Sequence, residues 1–446
     1  MADLTDLQAA GSTKLVGSNS SGTENNAVDA TLAGGLHTNL RNVNGLEIGT
    51  ELNPIQIRHD KSLISPFGDL RVASQSNVFE SVFNFDKLPL IYDESLATGG
   101  TSTWNSITNT IDTLTTTTSG SSVIRQTRAR IRYNTSRSVR VQISGNLGGN
   151  KANCTRRVGQ FDTSNGIYFE LAGTVLNVVI RSSMTGSVVN TAVAQSSWNL
   201  DKLDGTGSSG FTLDTSKHQL WVIEYGWQGI ATVRFGLYIN GRVTYCHEIN
   251  SANLLTTPYM KTANLPIRTE ITNTGTTTSN TTMSINCIVI KNEGEESTQE
   301  GLSRAYARPI TKTVRTSDTP VLSLRLNSTH LEGIIQILKA AIYVDTADNV
   351  IWSLYLNPTL TSSTFAVSLG YCDIDIAATA LSDGTVLDTG FVRQNNSSEV
   401  SSALLFEKIK TLMGVNLAGT SDIITISARG ASTNADVLAA ITWREI

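Results

Sequence analysis

From residue 61 onward the chain alternates between apolar and polar positions. In residues 123–133, Ile124, Thr127, Ala129, Ile131 and Tyr133 are interleaved with Arg125, Arg128, Arg130 and Arg132, and residues 138–143 repeat the pattern after a polar turn. A period of two sends one set of side chains into a core and the other into solvent, so these segments read as strands of a half-covered sheet. The clearest passage is residues 218–249. A strand is expected at 219–225, a turn at Gln228-Gly229, a strand at 231–239 and its return at 242–249. Between the last two stands Asn240-Gly241, a pair that tolerates positive φ at both positions and favours the two-residue type I′ turn. Residues 283–291 close this block as a further strand.

Residues 292–297 (NEGEES) break the pattern with charge and glycine, which marks a boundary. A second block follows, with strands at 321–326, 342–344, 351–356 and 423–428 and a turn at 345–349. Residues 402–413 have Leu405, Ile409 and Met413 at four-residue spacing, the one stretch with a helical signal. Residues 1–60 are different. They are sparse in hydrophobic side chains and carry an internal echo, Gly22-Thr23-Glu24-Asn25-Asn26-Ala27-Val28 and Gly49-Thr50-Glu51-Leu52-Asn53-Pro54-Ile55. Two short copies cannot enclose a core, so the segment reads as an extended anchor that orders by docking on a partner or on other copies of itself. The contacts of such docking would come from Leu15, Val16, Thr23, Glu24, Val28, Leu46, Ile48, Thr50, Glu51 and Ile55. The expected organisation is all-β: the anchor at 1–60, a sandwich domain at 61–300 and a second β-sandwich-like domain at 301–446.

Composition sharpens this reading. Only 16% of the 446 residues are charged, against the usual quarter, and Ser, Thr, Asn and Gly take their place. Such residues compete for backbone hydrogen bonds and disfavour long helices. A net charge of −4 gives no general field for a polyanion, so nucleic acid is not an expected partner. The acidic start lacks the order of a secretory signal, and no apolar run approaches the ~20 residues needed to cross a bilayer. The expectation is a soluble chain made in a cytoplasm. Cys154, Cys246, Cys287 and Cys372 fit no C-x-x-C spacing and are expected to be reduced.

The five histidines are dispersed, and no H-E-x-x-H, nucleophile elbow, P-loop or dinucleotide fingerprint is present. Asp373 and Asp375 share a strand face and Glu295 and Glu296 lie in a linker, although distant strands can still bring two carboxylates together as glycosidases require. On this basis no catalytic, metal or cofactor residues are expected, and the chain is expected not to be an enzyme. Two features suit contact with a partner. The arginine row, with Arg128 and Arg130 at its centre, is either an outward strand face kept soluble or a grip on an acidic surface. Trp198 and Trp227 belong to an aromatic set that could stack on sugar rings. Alternation puts Trp221, Ile223, Tyr225 and Trp227 on one face, the pattern of a core.

The stretch Phe161-Asp162-Thr163-Ser164-Asn165-Gly166-Ile167-Tyr168-Phe169-Glu170-Leu171 resembles the central domain of tailed-phage virion proteins. So, in order, do Val178-Val179-Ile180-Arg181, Glu224-Tyr225-Gly226-Trp227-Gln228-Gly229, Val233-Arg234-Phe235-Gly236 and Asn264-Leu265-Pro266-Ile267-Arg268-Thr269-Glu270-Ile271. Leu356-Asn357-Pro358-Thr359-Leu360, Asp388-Thr389-Gly390-Phe391-Val392 and Thr442-Trp443-Arg444-Glu445 are similar to the domain that often follows it, and the N-terminal echo is similar to fibre anchor segments. The resemblance implies a concanavalin-like jelly roll and a structural fibre or spike component of a virion. It implies docking on other virion proteins through the N-terminal segment, self-association as a homotrimer and no cofactor. Host cell-surface glycan stays open as a further partner, and with it the alternative of a carbohydrate-binding or glycan-degrading module.

Overall fold

The computed structural model describes residues 12–18, 24–31, 61–294, 301–346, 348–393, 397–400 and 413–446. They are all-β. Among them the only helical turns are two of the 3-10 type, Lys61–Leu63 and Gln195–Ser197. The expected helix at 402–413 lies outside the described residues except for Met413, which is buried. The chain separates into two compact units, Met1–Asp60 and Lys61–Ile446. In the first, Ser12–Ser18 and Glu24–Thr31 form an antiparallel pair with Leu15 opposite Val28 and Ser18 opposite Glu24.

Among the described residues the second unit holds two large hydrophobic cores and a small separate cluster of Phe161, Tyr168 and Val179. The first lies between two antiparallel sheets. One has seven strands in the order Val189–Ala194, Val175–Ser182, Gly166–Ala172, Cys154–Phe161, Ile267–Asn273, Ser122–Thr127, Tyr92–Ala97. The other has eight strands. Its main path runs Arg242–Ile249, Val233–Ile239, Gln219–Tyr225, Val139–Asn146, Thr281–Glu293, Thr110–Thr115, Thr101–Asn105. The long strand Thr281–Glu293 is its keystone, because it pairs with Thr110–Thr115, with Val139–Asn146 and with Gln75–Val82. Two such sheets packed face to face, with crossovers between them, make a jelly-roll sandwich of the concanavalin-like kind.

Alternation explains the core. Val141 and Ile143 from one sheet meet Val158, Phe169 and Ile271 from the other, and Trp221 packs on Phe169 with ring centroids 4.9 Å apart. Each such side chain contributes ~1.5–3 kcal/mol by leaving water. The turn after Ile239 is as expected: Asn240 and Gly241 have φ of 50° and 86°, and Ile239 faces Arg242. All four cysteines are free thiols, and Cys246 and Cys287 do not pair.

One expected strand differs. Ser122–Thr127 ends early, and the odd positions Val123, Arg125, Thr127, Ala129, Ile131 and Tyr133 are buried, with Arg132 as the one even position that joins them. Arg125 therefore points inward, not out to solvent. Its guanidinium sits 4.2 Å from the Tyr92 ring centroid and donates to the Glu94 carboxylate and the Lys87 carbonyl.

The second core, around Leu324, Ile342, Leu354, Ile426 and Trp443, lies between the two larger sheets of residues 301–446. Five strands, Leu302–Ala307, Lys312–Val314, Ala435–Glu445, Ile335–Val344 and Ser397–Val400, form one sheet. Six form the other: Val367–Leu369, Cys372–Asp375, Thr319–Leu326, Ile423–Gly430, Val350–Leu356 and Thr385–Val392. Both sandwiches belong to one compact unit.

Candidate functional site

The few charges of this chain fall into register across strands. On the outer face of the eight-stranded sheet, Arg140 lies opposite Glu224, Glu224 opposite Arg234, and Arg234 opposite Glu248. Glu224 is fully buried. One of its oxygens takes Arg71 and Arg140 (Nε at 3.0 Å), and the other accepts the Tyr245 hydroxyl. On the outer face of the seven-stranded sheet Arg157 bridges Glu170 at 2.7 Å and Glu270 at 2.5 Å. Burial pushes the Glu270 carboxyl up, but Arg268 and Arg157 more than reverse this and hold it below the ordinary range. Opposite charges in cross-strand register stabilise a sheet as complementary helix pairs do a helix.

Beside this second face lies a cleft of about 260 Å³ between the two sandwiches. The even positions of residues 126–130 build one wall, because the odd ones are taken up by the core. Gln126, Arg128 and Arg130 line it, joined by Arg268, Asp162 and Pro266; the second sandwich contributes Leu331, Glu332 and the turn Val415–Gly419. The wall is held by a seam. Asp422, wholly buried, accepts from Arg128 (Nε at 2.9 Å, and Nη2), from Asn357 Nδ2 at 2.7 Å and from the Gly414 amide at 2.7 Å. The Val415 amide donates to the Arg128 carbonyl at 2.9 Å, and the Leu417 amide to Asp93 at 2.7 Å. Gly414 permits this approach, since a Cβ there would fall 2.0 Å from the Arg128 carbonyl oxygen.

Arg130 is held more loosely. Its Nη1 donates to the Asn264 carbonyl at 3.0 Å and lies 2.8 Å from Asp162 Oδ2, an ion-pair distance without hydrogen-bond alignment. Its Nη2 is 3.7 Å from Glu332, whose side chain is 54% exposed. The cleft thus combines guanidinium donors with an apolar flank of Leu331, Pro266 and Val415. That set recognises an anion carried on a partly apolar body.

Of the residues singled out by sequence, Arg128 and Arg130 meet in this cleft. Trp198 does not join them. It is 3% exposed, and its indole donates to the Val193 carbonyl at 3.1 Å, so it is interior and offers no surface to a sugar. Trp227 is half-buried against the core, edge-on to Tyr133 at 5.8 Å. Leu15, Val16, Glu24 and Val28 lie on the N-terminal strand pair. Thr23, Leu46, Ile48, Thr50, Glu51 and Ile55 lie outside the described residues. Sequence reasoning did not single out Arg268, Asp162, Glu332 or Asp422 as site residues. The first two stand in the motifs that carry the virion resemblance, whereas Glu332 and Asp422 have no local signal. Among the described residues no group of three or more His, Cys, Asp or Glu side chains is placed to hold a metal ion.

No family model matches this sequence, and no curated protein matches it. Solved structures do resemble it. A legume lectin-like domain from Entamoeba histolytica is 13% identical and covers 49% of this chain and 98% of its own, with a TM-score of 0.30. A β-glucanase of Bacillus licheniformis is 9% identical over 50% of this chain and 99% of its own, at 0.31. A β-1,3-glucanase of Mycobacterium marinum is 11% identical over 48% and 98%, at 0.34. The likeness assigns no activity. It does correct one expectation: several of these structures are glycoside hydrolases, so the missing sequence motif does not exclude an enzyme, and the exclusion drawn from sequence falls.

Proposed function

We propose that this chain is a component of a tailed-phage particle, assembled as a trimer, whose jelly roll meets carbohydrate at the host surface and whose first 60 residues attach it to the particle. The observation that carries the attachment role is the N-terminal strand pair. Among the described residues, Ser12–Ser18 and Glu24–Thr31 pair only with each other. An isolated two-stranded hairpin is marginal in water, and among the described residues neither of its outer edges has a strand partner. A partner that adds a strand satisfies the backbone groups along such an edge and supplies the missing stability. The ordered run of virion-protein motifs along residues 161–445 supports the particle assignment, and the inter-sandwich cleft supports the carbohydrate contact.

Deleting residues 1–60 tests this directly. The shortened chain should keep its strand signal in circular dichroism and its melting temperature, because both hydrophobic cores lie beyond residue 60. It should be missing from purified particles. Its presence there at the level of the full chain would overturn the attachment role.

A further inference from the structure

We propose that the cleft between the two sandwiches binds a carboxylate-bearing sugar, a uronic acid unit, with the sugar carboxylate replacing Glu332 at Arg130. Only the source of the sugar, a host-surface polysaccharide, rests on the attachment reading; the site itself stands on its own geometry.

Two guanidinium groups line this cleft with an edge to spare. Arg130 commits Nη1 to Asn264 and Asp162, but among the described residues its Nη2 has a carboxylate no nearer than Glu332 at 3.7 Å. Arg128 commits Nε and Nη2 to Asp422, while its Nη1 stands 3.7 Å from Asp93. A distance of 3.7 Å is beyond hydrogen-bond reach, so both edges keep donor capacity for a planar anion. Glu332 is an exchangeable partner because it is more than half exposed and, among the described residues, makes no closer ion pair. An incoming carboxylate exchanges one long contact for shorter, charge-assisted hydrogen bonds.

The body attached to that carboxylate must be small and amphipathic. At about 260 Å³ the cleft is below the usual range for drug-sized ligands and suits one ring. Leu331, Pro266 and Val415 offer apolar surface to the C–H face of a pyranose, and Gln126, Thr163 and Asn416 offer partners to its hydroxyls. A bare phosphate would use the arginines and leave the apolar flank empty.

The test is a titration of the full chain with sodium D-glucuronate, followed by NMR and calorimetry, with D-glucose, acetate and inorganic phosphate in parallel. Glucuronate should bind saturably, glucose should not, and acetate and phosphate should bind more weakly. Glu332→Gln removes the competing carboxylate and should tighten glucuronate binding roughly two- to fivefold, the equivalent of one exposed ion pair. A purely structural Glu332 would leave that affinity unmoved. Arg130→Gln should weaken binding at least tenfold. Arg130→Lys keeps the charge and loses the second donor edge, so it serves where the glutamine variant fails to fold. Absence of saturable glucuronate binding to both the natural chain and Glu332→Gln would overturn the site. Equal binding of phosphate or acetate would overturn the sugar assignment. Particles that still incorporate a chain unable to bind glucuronate would show that the site failed while the attachment reading stood.

Discussion

Glu224 and Glu332 are both glutamates beside arginines, on opposite terms with water. Glu224 is wholly enclosed, with Arg71 and Arg140 on one oxygen and the Tyr245 hydroxyl on the other. Glu332 stands at the rim of the inter-sandwich cleft, 54% exposed and 3.7 Å from Arg130. An enclosed charge survives only when its partners are complete, and removing one strands the others in a poor solvent. A rim charge gains little from its partner and loses little without it, because water takes over. The same pairing therefore acts as structure in one place and as an exchangeable contact in the other.

The largest effect should come from Glu224→Gln, which leaves Arg71 and Arg140 without their shared carboxylate. We expect a loss of about 3–5 kcal/mol in chemical denaturation. A loss below about 1 kcal/mol would mean that both arginines reach water, and the contrast with Glu332 would collapse.

Next comes acid. Burial pushes Glu94, Glu248 and Glu270 up, but hydrogen bonds and nearby cations reverse it, and each ends below its ordinary value of 4.5. Groups whose folded pKa is depressed contribute stability that is present above the unfolded value and lost as pH falls through the folded one. Urea midpoints should therefore be insensitive to these groups near neutrality and fall as the pH drops below about 4.5. Midpoints unchanged down to pH ~3 would show that these pairs add nothing to the fold.

The smallest effect belongs to Glu332→Gln, with stability changed by less than about 0.5 kcal/mol in the same denaturation assay. A loss above ~1 kcal/mol would move Glu332 into the structural class and sharpen the boundary between the two kinds of pair.

How much of this was readable in the sequence depends on the distance between the residues that cooperate. Asn240-Gly241 was legible because a type I′ turn is decided by two adjacent residues. The alternation in residues 123–133 was visible but assigned to the wrong parity at Arg125, since charge usually marks the outside. The Tyr92 ring and Glu94 that receive this arginine lie on another strand. The cleft was half legible. Arg128 and Arg130 stood out as a basic row, but Asp422 is 294 residues from Arg128, and no spacing rule connects them. Trp198 misled because an aromatic residue looks alike in a core and on a sugar platform until its burial is known. The motifs that carry the virion resemblance contain Glu170, Glu224, Arg234 and Glu270, members of the cross-strand charge network, and Arg268, which pairs with Glu270 on its own strand. What reads as a family motif along the chain is here a row of paired charges across it.

The keystone strand Thr281–Glu293 has a consequence in time. It occupies the middle of its sheet, and the Ser76 hydroxyl bonds to the Gly294 carbonyl 218 residues away. At ~5–20 residues per second, a ribosome needs on the order of ten to forty seconds to deliver the later partner after the earlier one. Throughout that interval the edge of Gln75–Val82 that faces the keystone waits unfilled, and the edge of Val139–Asn146 joins it once that strand has been made. The half-made chain is most open to wrong strand partners then, and slowing synthesis across residues 150–280 should lower the soluble yield long before it alters the finished protein.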